Sequence, residues 1–378
     1  MRITFTGDIL CYQSQDKHCK KADGSYDYTP VFEQVKPLFA KSDYVVGSFE
    51  TTCSGKEAGY THADTSFNTP DELLSALKDA GFDLLTTANN HCLDRGEAGL
   101  LRTIQKIKEN GLEFTGTRSQ PTDPQYLIKD FGGTKVAFLA YSYGTNSVSN
   151  GNIIPKGKEY LVNLTRAQDA PIKRSLWKKA VLAVIPKSLL PNKNRGPVSD
   201  CVSEREVISG RNGEYENAMA QVVKQAKLDA DIVVFCLHSG GQFNSQVGAY
   251  TQHLINLIAD SGADAIVTNH AHTVLPLYMK GDCLVASALG NFSFAPGEGY
   301  YVDGVYADYS VLLHLDVDKK QKKIVGYDYD ICKSVKNEEG LAIVKSCDKD
   351  GKEEGVKSAN YRLTGSYSHK ITPPHAVI

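Results

Sequence analysis

His270 and His272 stand one residue apart in the segment TNHAHTVLP, directly after the apolar run DAIV. In an extended chain, residues i and i+2 point to the same face, so both imidazoles are expected on one side. Imidazole nitrogens are common metal ligands, but a single histidine at a strand end is more often a half-buried structural side chain. The pair alone leaves both interpretations open.

Other polar side chains follow the remaining apolar runs of the sequence. They are Asp8, Glu50, Asn89, Asn90, His91, His238 and Asn291. In open α/β sheets, ligands bind beyond the carboxyl ends of the strands. Each of these residues alone is typical of a turn or a helix cap. Their joint occurrence predicts one convergent site.

The residue types at these positions indicate metal chemistry. Carboxylates, imidazoles and an amide oxygen suit Mn²⁺, Fe, Zn²⁺ or Mg²⁺, and we predict one or two such ions. Cys92 and Cys236 lie in these turns, but their neighbours are better placed to bind, which disfavours a structural zinc site. A divalent ion lowers the pKa of a bound water and polarises a phosphoryl or carbonyl oxygen, which suits hydrolysis.

Alternating apolar strands and amphipathic helices must position these residues. The segments TPDELLSALKDAG and GEAGLLRTIQKIKENG predict helices that end at glycine, and YDYTPVFEQVKPLFAKS predicts a helix interrupted by Pro37. Strands are predicted before each polar turn, and short β-like runs fill the tail. This alternation predicts a layered α/β fold with buried central strands.

The composition excludes several classes of protein and partner. The chain has 378 residues, a formal net charge of −2 and 41% hydrophobic residues, so we expect no nucleic-acid partner. No apolar run approaches the roughly 18 residues of a membrane span, and no leader is evident. We expect a cytoplasmic location for the sequence as given, and export or the cell surface if a leader has been removed. Nine scattered cysteines favour free thiols, with Cys11/Cys19 and Cys332/Cys347 as bridge candidates in an exported protein.

A segment of about 146–211 interrupts the alternation, and we expect it to be a helical insertion at the rim of the sheet. Seven Lys or Arg residues and no acid occur between Lys173 and Arg195, together with the single tryptophan, Trp177. Three interpretations stay open: a solvated basic face, a lid that attracts an anionic substrate, and a membrane-surface helix, which Pro186 would break.

Six motifs occur in an order that resembles one known family: TFTGD, SFETT, ANNHCLDRG, HSGGQ, TNHAH and ALGNF. From about Arg2 to about Phe294 the chain resembles the CapA family of poly-γ-glutamate capsule biosynthesis proteins, a branch of the calcineurin-like metallophosphoesterases. The resemblance implies a four-layer αββα sandwich with two mixed β-sheets. It also implies a CapA-like metallophosphatase domain over residues 1–315 and a β-rich extension, 316–378, packed on the same domain.

The resemblance also implies residue roles. Asp8 and His272 would bind one metal, Glu50 would bridge, and Asn90, His238 and His270 would bind a second. His91 would act as general acid or stabilise the transition state, with Asp94 orienting it. Substrate contacts are expected from Asn89, Gln242 and Asn291.

Three departures from the family pattern affect these roles. Leu10 stands where the superfamily usually has a histidine, so the first metal has a thinner shell and a single ion is also compatible. Ser239 and Gln242 replace the tryptophan and glutamate of the family's HWGxE element, and Ser48 replaces an asparagine. Loss of the glutamate charge would alter affinity for substrate.

The resemblance implies a metal-dependent hydrolase of phosphoesterase type, associated with poly-γ-glutamate or capsule polymer biosynthesis. The alternative is a non-catalytic polymer-binding or assembly protein with a vestigial metal site. Expected partners are an anionic small molecule or polymer, either a phosphoester or a γ-glutamyl polymer, and contact with the membrane surface or the capsule-synthesis machinery. The sequence has no G-x-S-x-G elbow, P-loop or dinucleotide fingerprint.

Overall fold

A computed structural model of the chain describes residues 1–61, 66–169, 212–243, 246–295 and 306–364. Its strands are β1 (Arg2–Ile9), β2 (Tyr44–Phe49), β3 (Leu84–Thr86), β4 (Glu113–Thr115), β5 (Tyr126–Asp130), β6 (Lys135–Ser142), β7 (Ile232–His238), β8 (Ala265–Asn269), β9 (Val274–Lys280), β10 (Cys283–Leu289), β11 (Asn291–Ser293), β12 (Tyr309–Asp318), β13 (Lys323–Lys336) and β14 (Ala342–Cys347). Its helices are α1 (Gln13–Cys19), α2 (Thr29–Phe32), α3 (Lys36–Phe39), α4 (Glu72–Ala80), α5 (Gly96–Glu109), α6 (Ser147–Asn150), α7 (Gly213–Asp229), α8 (Ala249–Asp260) and α9 (Glu354–Thr364). Short 3₁₀ turns occupy Glu33–Val35, Lys56–Ala58 and Glu159–Leu161.

The first sheet has the strand order β14-β13-β12-β1-β2-β3-β4, and β11 also pairs with β1. Strands β1 to β4 are parallel, whereas β12, β13 and β14 continue the sheet in antiparallel pairs. The tail therefore contributes three neighbouring strands to the same sheet as β1. The predicted boundary between residues 315 and 316 falls inside β12, and that division into domains stays a prediction.

The second sheet has the order β5-β6-β7-β8-β10-β9. Its four central strands are parallel, and β5 and β9 flank them in antiparallel pairs. The central strands β7 and β8 are buried along their whole length. Burial on both faces explains why they appear in the sequence as continuous apolar runs rather than as alternating ones.

Three apolar clusters define the layers. Phe5 and Val46 of the first sheet pack with Phe138 and Val234 of the second, which places one cluster between the sheets. The outer face of the first sheet packs on α2 and α4, and the outer face of the second packs on α7 and α8. The predicted four-layer αββα sandwich with two mixed sheets is confirmed.

A backbone contact joins the two sheets where β10 passes into β11. A Cβ on Gly7 would lie 2.0 Å from the carbonyl oxygen of Gly290, so a side chain cannot be accommodated there. The Asp8 N–H donates to the same oxygen at 2.9 Å, and Gly290 itself has φ +79°. Glycine at both positions lets the end of β1 approach closely enough to fix the place of Asp8.

Several predictions about the rest of the chain need correction. The tail predicted as β-rich also contains the helix α9. Cys347 lies opposite Ile331 on the neighbouring strand, so Cys332 and Cys347 point to opposite faces of the β13–β14 pair and are not a bridge. Cys11 and Cys19 are also free, buried thiols.

Part of the predicted insertion is described, and part is not. Residues 146–169 contain α6 and a 3₁₀ turn at Glu159–Leu161. The basic stretch from Lys173 to Arg195, with Trp177, lies outside the described residues. None of the helices described is long and apolar enough to cross a bilayer.

Asp16 provides a test of the packing around α1. Tyr28 donates to its Oδ1 at 2.6 Å, while Oδ2 has no hydrogen-bond partner among the described residues. Burial raises the pKa of Asp16 to about 7, against a partly opposing effect of the Tyr28 hydrogen bond. The folded state therefore keeps a proton that the unfolded chain releases near pH 4, and stability is lost as pH rises from about 4 to 7.

We expect Asp16→Asn to raise the free energy of unfolding at pH 8 by roughly 2 kcal/mol, because the amide never ionises. The gain should shrink markedly at pH 5. Urea unfolding of chelator-treated protein at both pH values measures it, with exposed Asp260→Asn as the matched control. A difference between Asp16→Asn and wild type that does not change with pH would show the assignment to be wrong.

Candidate metal centre

The carboxylate of Glu50 lies at the centre of a cluster of imidazoles. Glu50 directly follows β2 and is buried. Its Oε1 lies 3.4 Å from His238 Nε2, 3.9 Å from His270 Nδ1, 3.9 Å from His272 Nε2 and 4.0 Å from His91 Nε2. Among the described residues, neither oxygen of this carboxylate has a hydrogen-bond partner. A buried carboxylate without partners is costly, so the geometry favours a cation beside it.

Asp8 lies next to this cluster and is fixed by two donors. Ser48 Oγ donates to its Oδ1 at 2.8 Å, and the backbone N–H of His270 donates to its Oδ2 at 3.0 Å. His238 Nδ1 and His272 Nδ1 each lie 3.8 Å from the Asp8 carboxylate. Burial, and then the charge of Glu50, raise the pKa of Asp8 well above its usual value. The register that pairs Asp8 with Ser48 across β1 and β2 creates this support.

Two overlapping groups of ligand atoms fit a metal ion. Glu50, His238 and His270 form one, and Asp8, Glu50 and His272 form the other, each with ligand atoms within 4.8 Å of one another. Asn90 Oδ1 lies 2.8 Å from His238 Nε2, so its amide oxygen adjoins the first group. Buried oxygen and nitrogen donors of this kind suit a divalent cation.

The charge states of these groups agree with metal binding. Burial lowers the pKa of His238 and lowers that of His270 to about 3, so both imidazoles are neutral and can offer a lone pair. In the part of the chain described, the Nδ1 atoms of both rings have no hydrogen-bond partner. Burial opposes ionisation of Glu50, but its imidazole neighbours, first of all His272, hold its pKa well below the usual value.

His91 and Asp94 form a pair at the side of the cluster. His91 Nδ1 lies 2.6 Å from Asp94 Oδ2, which also accepts the backbone N–H of Phe67 at 2.6 Å. Asn152 Nδ2 donates to the other oxygen at 2.8 Å. Burial opposes the charged imidazole, but the charge of Asp94 and its hydrogen bond raise the pKa of His91. With Nδ1 engaged by Asp94, Nε2 is the nitrogen that faces Glu50.

The structure brings most of the predicted site residues together, but Asn89 and Asn291 act as supports. Asn89 Nδ2 donates to the Phe49 carbonyl at 2.7 Å, and its Oδ1 accepts the His91 N–H at 2.9 Å. Asn291 Oδ1 lies 2.8 Å from His272 Nδ1. Neither side chain is among the described residues that line the cavity described next, and the substrate contacts expected of these two residues stay a prediction. Their amides orient the loop and the imidazole.

A cavity of about 180 Å³ opens onto the cluster. Gln242, predicted as a substrate contact, is at its wall, together with Glu50, Asn90, His91 and His272. The remaining lining residues were not predicted from the sequence: Leu10, Tyr12, Phe67, Asn146, Ser149, Asn150 and Phe243. Most are apolar or small and follow no chemical motif, although Leu10 and Tyr12 directly follow the strand that carries Asp8.

Backbone strain is concentrated at this site. Among the described residues, six that are not glycine have positive φ. Four of them are His270 (96°), His272 (54°), Phe243 (58°) and Asn146 (57°), all at the cluster or the cavity. Such conformations are unfavourable for side chains other than glycine and persist only where the surroundings enforce them. The chain thus holds two imidazoles in place against a local backbone preference.

Comparisons with known proteins identify a family and several relatives that this chain resembles. A profile of the family described as "Bacterial capsule synthesis protein PGA_cap" matches residues 2–296. The chain is 25% identical over 301 residues to the PGA biosynthesis protein CapA of Bacillus subtilis, covering 79% of this chain and 64% of that protein. It is 26% identical over 301 residues to the capsule biosynthesis protein CapA of Bacillus anthracis, covering 79% and 60%. The chain thus spans less than two thirds of either relative. A hypothetical protein of Thermus thermophilus has a TM-score of 0.44 and 12% identity, over 88% of this chain and 98% of that one.

We expect His270→Gly to be more stable than His270→Ala in chelator-treated protein. Both changes remove the ring, but only glycine accepts a φ of 96° without strain. The difference in unfolding free energy should be about 1 kcal/mol in favour of glycine. Urea unfolding of the two variants measures it. Equal stabilities would mean that the backbone at this position is not strained.

We expect His238→Ala to lower the metal content of untagged protein, because it removes a nitrogen beside Glu50. Loss of a direct ligand should weaken binding by more than the roughly 10–100-fold that outer-shell changes cost. Metal analysis by mass spectrometry measures this, with His253→Ala, a partly exposed histidine on α8, as the control. Full metal loading of His238→Ala would refute the ligand assignment.

Proposed function

The chain belongs to the bacterial capsule synthesis protein family PGA_cap, and from that premise we propose that it is a metal-dependent hydrolase of phosphoesterase type. One observation carries the proposal. Glu50 is buried without a hydrogen-bond partner among the described residues, within 4.0 Å of four imidazoles, at the floor of a cavity that His91 also lines. A purely structural cluster would be expected to satisfy its buried polar atoms internally.

The metal would be held by the two overlapping groups. Glu50, His238 and His270, with Asn90 beside them, would hold one ion, and Asp8, Glu50 and His272 fit a second. Manganese, iron, zinc and magnesium all suit such mixed oxygen and nitrogen donors. When bound, a divalent ion supplies Lewis-acid activation of an ester oxygen and a lower pKa for water at neutral pH.

His91 would protonate the leaving group. Its Nδ1–H donates to Asp94, which fixes the ring orientation and directs Nε2 toward the cavity. Burial opposes the charged ring, but Asp94 raises the pKa of His91, which favours a second proton on Nε2. As the phosphorus–oxygen bond breaks, the leaving oxygen takes this proton, while the oxygen of a water bonds to phosphorus and that water releases a proton to solvent. A proton taken up from solvent then restores His91. Asn152 and the Phe67 N–H hold the Asp94 carboxylate throughout.

We also propose a role in capsule polymer biosynthesis. The support is membership of the family, together with the names of two relatives, a PGA biosynthesis protein and a capsule biosynthesis protein. The proposed substrates are anionic: a phosphoester, or a γ-glutamyl polymer in an amide-cleaving variant of the same chemistry. Contact with the membrane surface or with the capsule-synthesis machinery belongs to the same proposal.

We expect His91→Ala to lower kcat on p-nitrophenyl or bis-p-nitrophenyl phosphate by about 10²–10⁴-fold, the usual contribution of a general acid. Its metal content should stay near that of wild type. Steady-state kinetics with added Mn²⁺, Zn²⁺ or Mg²⁺ measures the first and metal analysis the second. Exposed His18→Ala is the control and should retain activity.

A wild-type protein that is folded and metal-loaded yet cleaves neither phosphoesters nor γ-glutamyl peptides would contradict the proposal. The altered HSGGQ element would then favour the alternative, a polymer-binding or assembly protein.

A further inference from the structure

The cavity beside His91 has an aromatic wall. Tyr12 and Phe67 meet edge to face with centroids 5.6 Å apart, and Phe67 packs in the same manner on the His91 ring at 4.6 Å. Phe243 lies 5.5 Å from the His272 ring. Aromatic rings therefore stand beside both imidazoles that line the cavity. Such rings offer apolar faces to a bound group.

Five further lining residues are polar and uncharged. Asn90, Asn146, Asn150 and Gln242 bring side-chain amides, and Ser149 brings a hydroxyl. Amides and hydroxyls both donate and accept hydrogen bonds, so they can pair with hydroxyl groups of either orientation. An apolar wall combined with a few such groups is typical of a site for a small organic ligand.

No lysine or arginine lines this cavity in the described ranges. Arg95 is close in sequence to His91 and Asp94, but its guanidinium is engaged elsewhere, with the carbonyls of Ala58 and Gly59 and with Ser66 Oγ. The carboxylate among the lining residues is Glu50. A substrate carboxylate placed along this wall would thus be desolvated without a lysine or arginine partner among the described residues, which is unfavourable.

The wall is positioned by the same strained segments that position the metal ligands. Phe243 has φ 58°, and its N–H donates to the carbonyl of Ala271, between His270 and His272, at 2.7 Å. Asn146 has φ 57°, and its Oδ1 accepts from Asn90 Nδ2 at 3.4 Å. The strain at both residues indicates that their placement serves a function.

From these observations we infer that the cavity binds an uncharged, hydroxyl-bearing ring such as a hexose, as the group attached to the ester that is cleaved. Its volume of about 180 Å³ is on the scale of one small ring. This inference rests on the proposed function for the chemistry, and it specifies the substrate class. The hydroxyl oxygen released from the ring would be the one that His91 Nε2 protonates.

The test compares two probes that differ only at one carbon, glucose 1-phosphate and glucuronic acid 1-phosphate. The first carries a hydroxymethyl group where the second carries a carboxylate. We expect wild type to show a kcat/KM at least about tenfold higher for glucose 1-phosphate, because a buried carboxylate would lack a partner. Calorimetry on metal-loaded His91→Ala should show the same preference in Kd, without turnover.

A charge placed in the wall should reverse the preference. Gln242→Lys supplies a cation at the cavity and should raise the kcat/KM ratio of glucuronic acid 1-phosphate to glucose 1-phosphate by about tenfold or more. Gln225→Lys adds the same charge on the exposed side of α7 and should leave the ratio unchanged. Circular dichroism confirms that both variants are folded.

The outcomes separate the two proposals. Equal use of the probes, preference for glucuronic acid 1-phosphate, or binding of neither by a protein that cleaves p-nitrophenyl phosphate would overturn the inference and leave the proposed function standing. Selective binding of glucose 1-phosphate without cleavage of any ester would overturn the proposed function alone.

Discussion

The structure depends on one buried carboxylate, that of Glu50, placed where the two sheets meet. Four imidazoles lie within 4.0 Å of its Oε1, and Asp8 stands beside them with its own two donors. Removing these charges from water is costly, and their mutual contacts leave the Glu50 oxygens without hydrogen bonds in the described chain. Binding of a divalent cation would offset the cost of burying these charges, because its binding free energy adds to the free energy of folding.

The fold holds the cluster together by a close backbone contact and by unfavourable backbone conformations. The backbones of Gly7 and Gly290 approach too closely for any side chain. This contact joins the end of β1 to the junction of β10 and β11. His270 and His272 keep positive φ angles, and Asn291 and Asp94 hold the rings of His272 and His91. The same segments form the wall of the cavity, since the backbone N–H of Phe243 donates a hydrogen bond to the carbonyl of Ala271, which lies between the two histidines. The proposed metal ligands and the cavity wall are thus held in place by the same segments of the chain.

The sequence predicted the site well wherever the chemistry follows from strand ends. Asp8 and Glu50 converge as expected because β1 and β2 are parallel neighbours, and His238 joins them from the second sheet, which packs on the first. The amides of Asn89 and Asn291 are engaged by a backbone carbonyl and an imidazole, because an amide at a turn competes for such nearby groups, and their substrate contacts stay a prediction. The cavity wall was missed because Leu10, Phe67 and Phe243 carry no spacing signal and resemble ordinary core residues. The helix α9 was missed because two of its four buried residues, Gly355 and Ala359, are small and give only a weak apolar stripe.

The chain belongs to a capsule synthesis family and has buried groups that could hold a metal ion, and the proposed metal is the claim on which the rest depends. The most direct test is calorimetric titration of Mn²⁺ into untagged, chelator-treated wild type, with melting temperature followed in parallel. The account predicts saturable binding of about one or two equivalents and a clear rise in Tm, since a ligand of the folded state stabilises it. Binding below about a tenth of an equivalent, with no rise in Tm for Mn²⁺, Zn²⁺ or Fe²⁺, would contradict it.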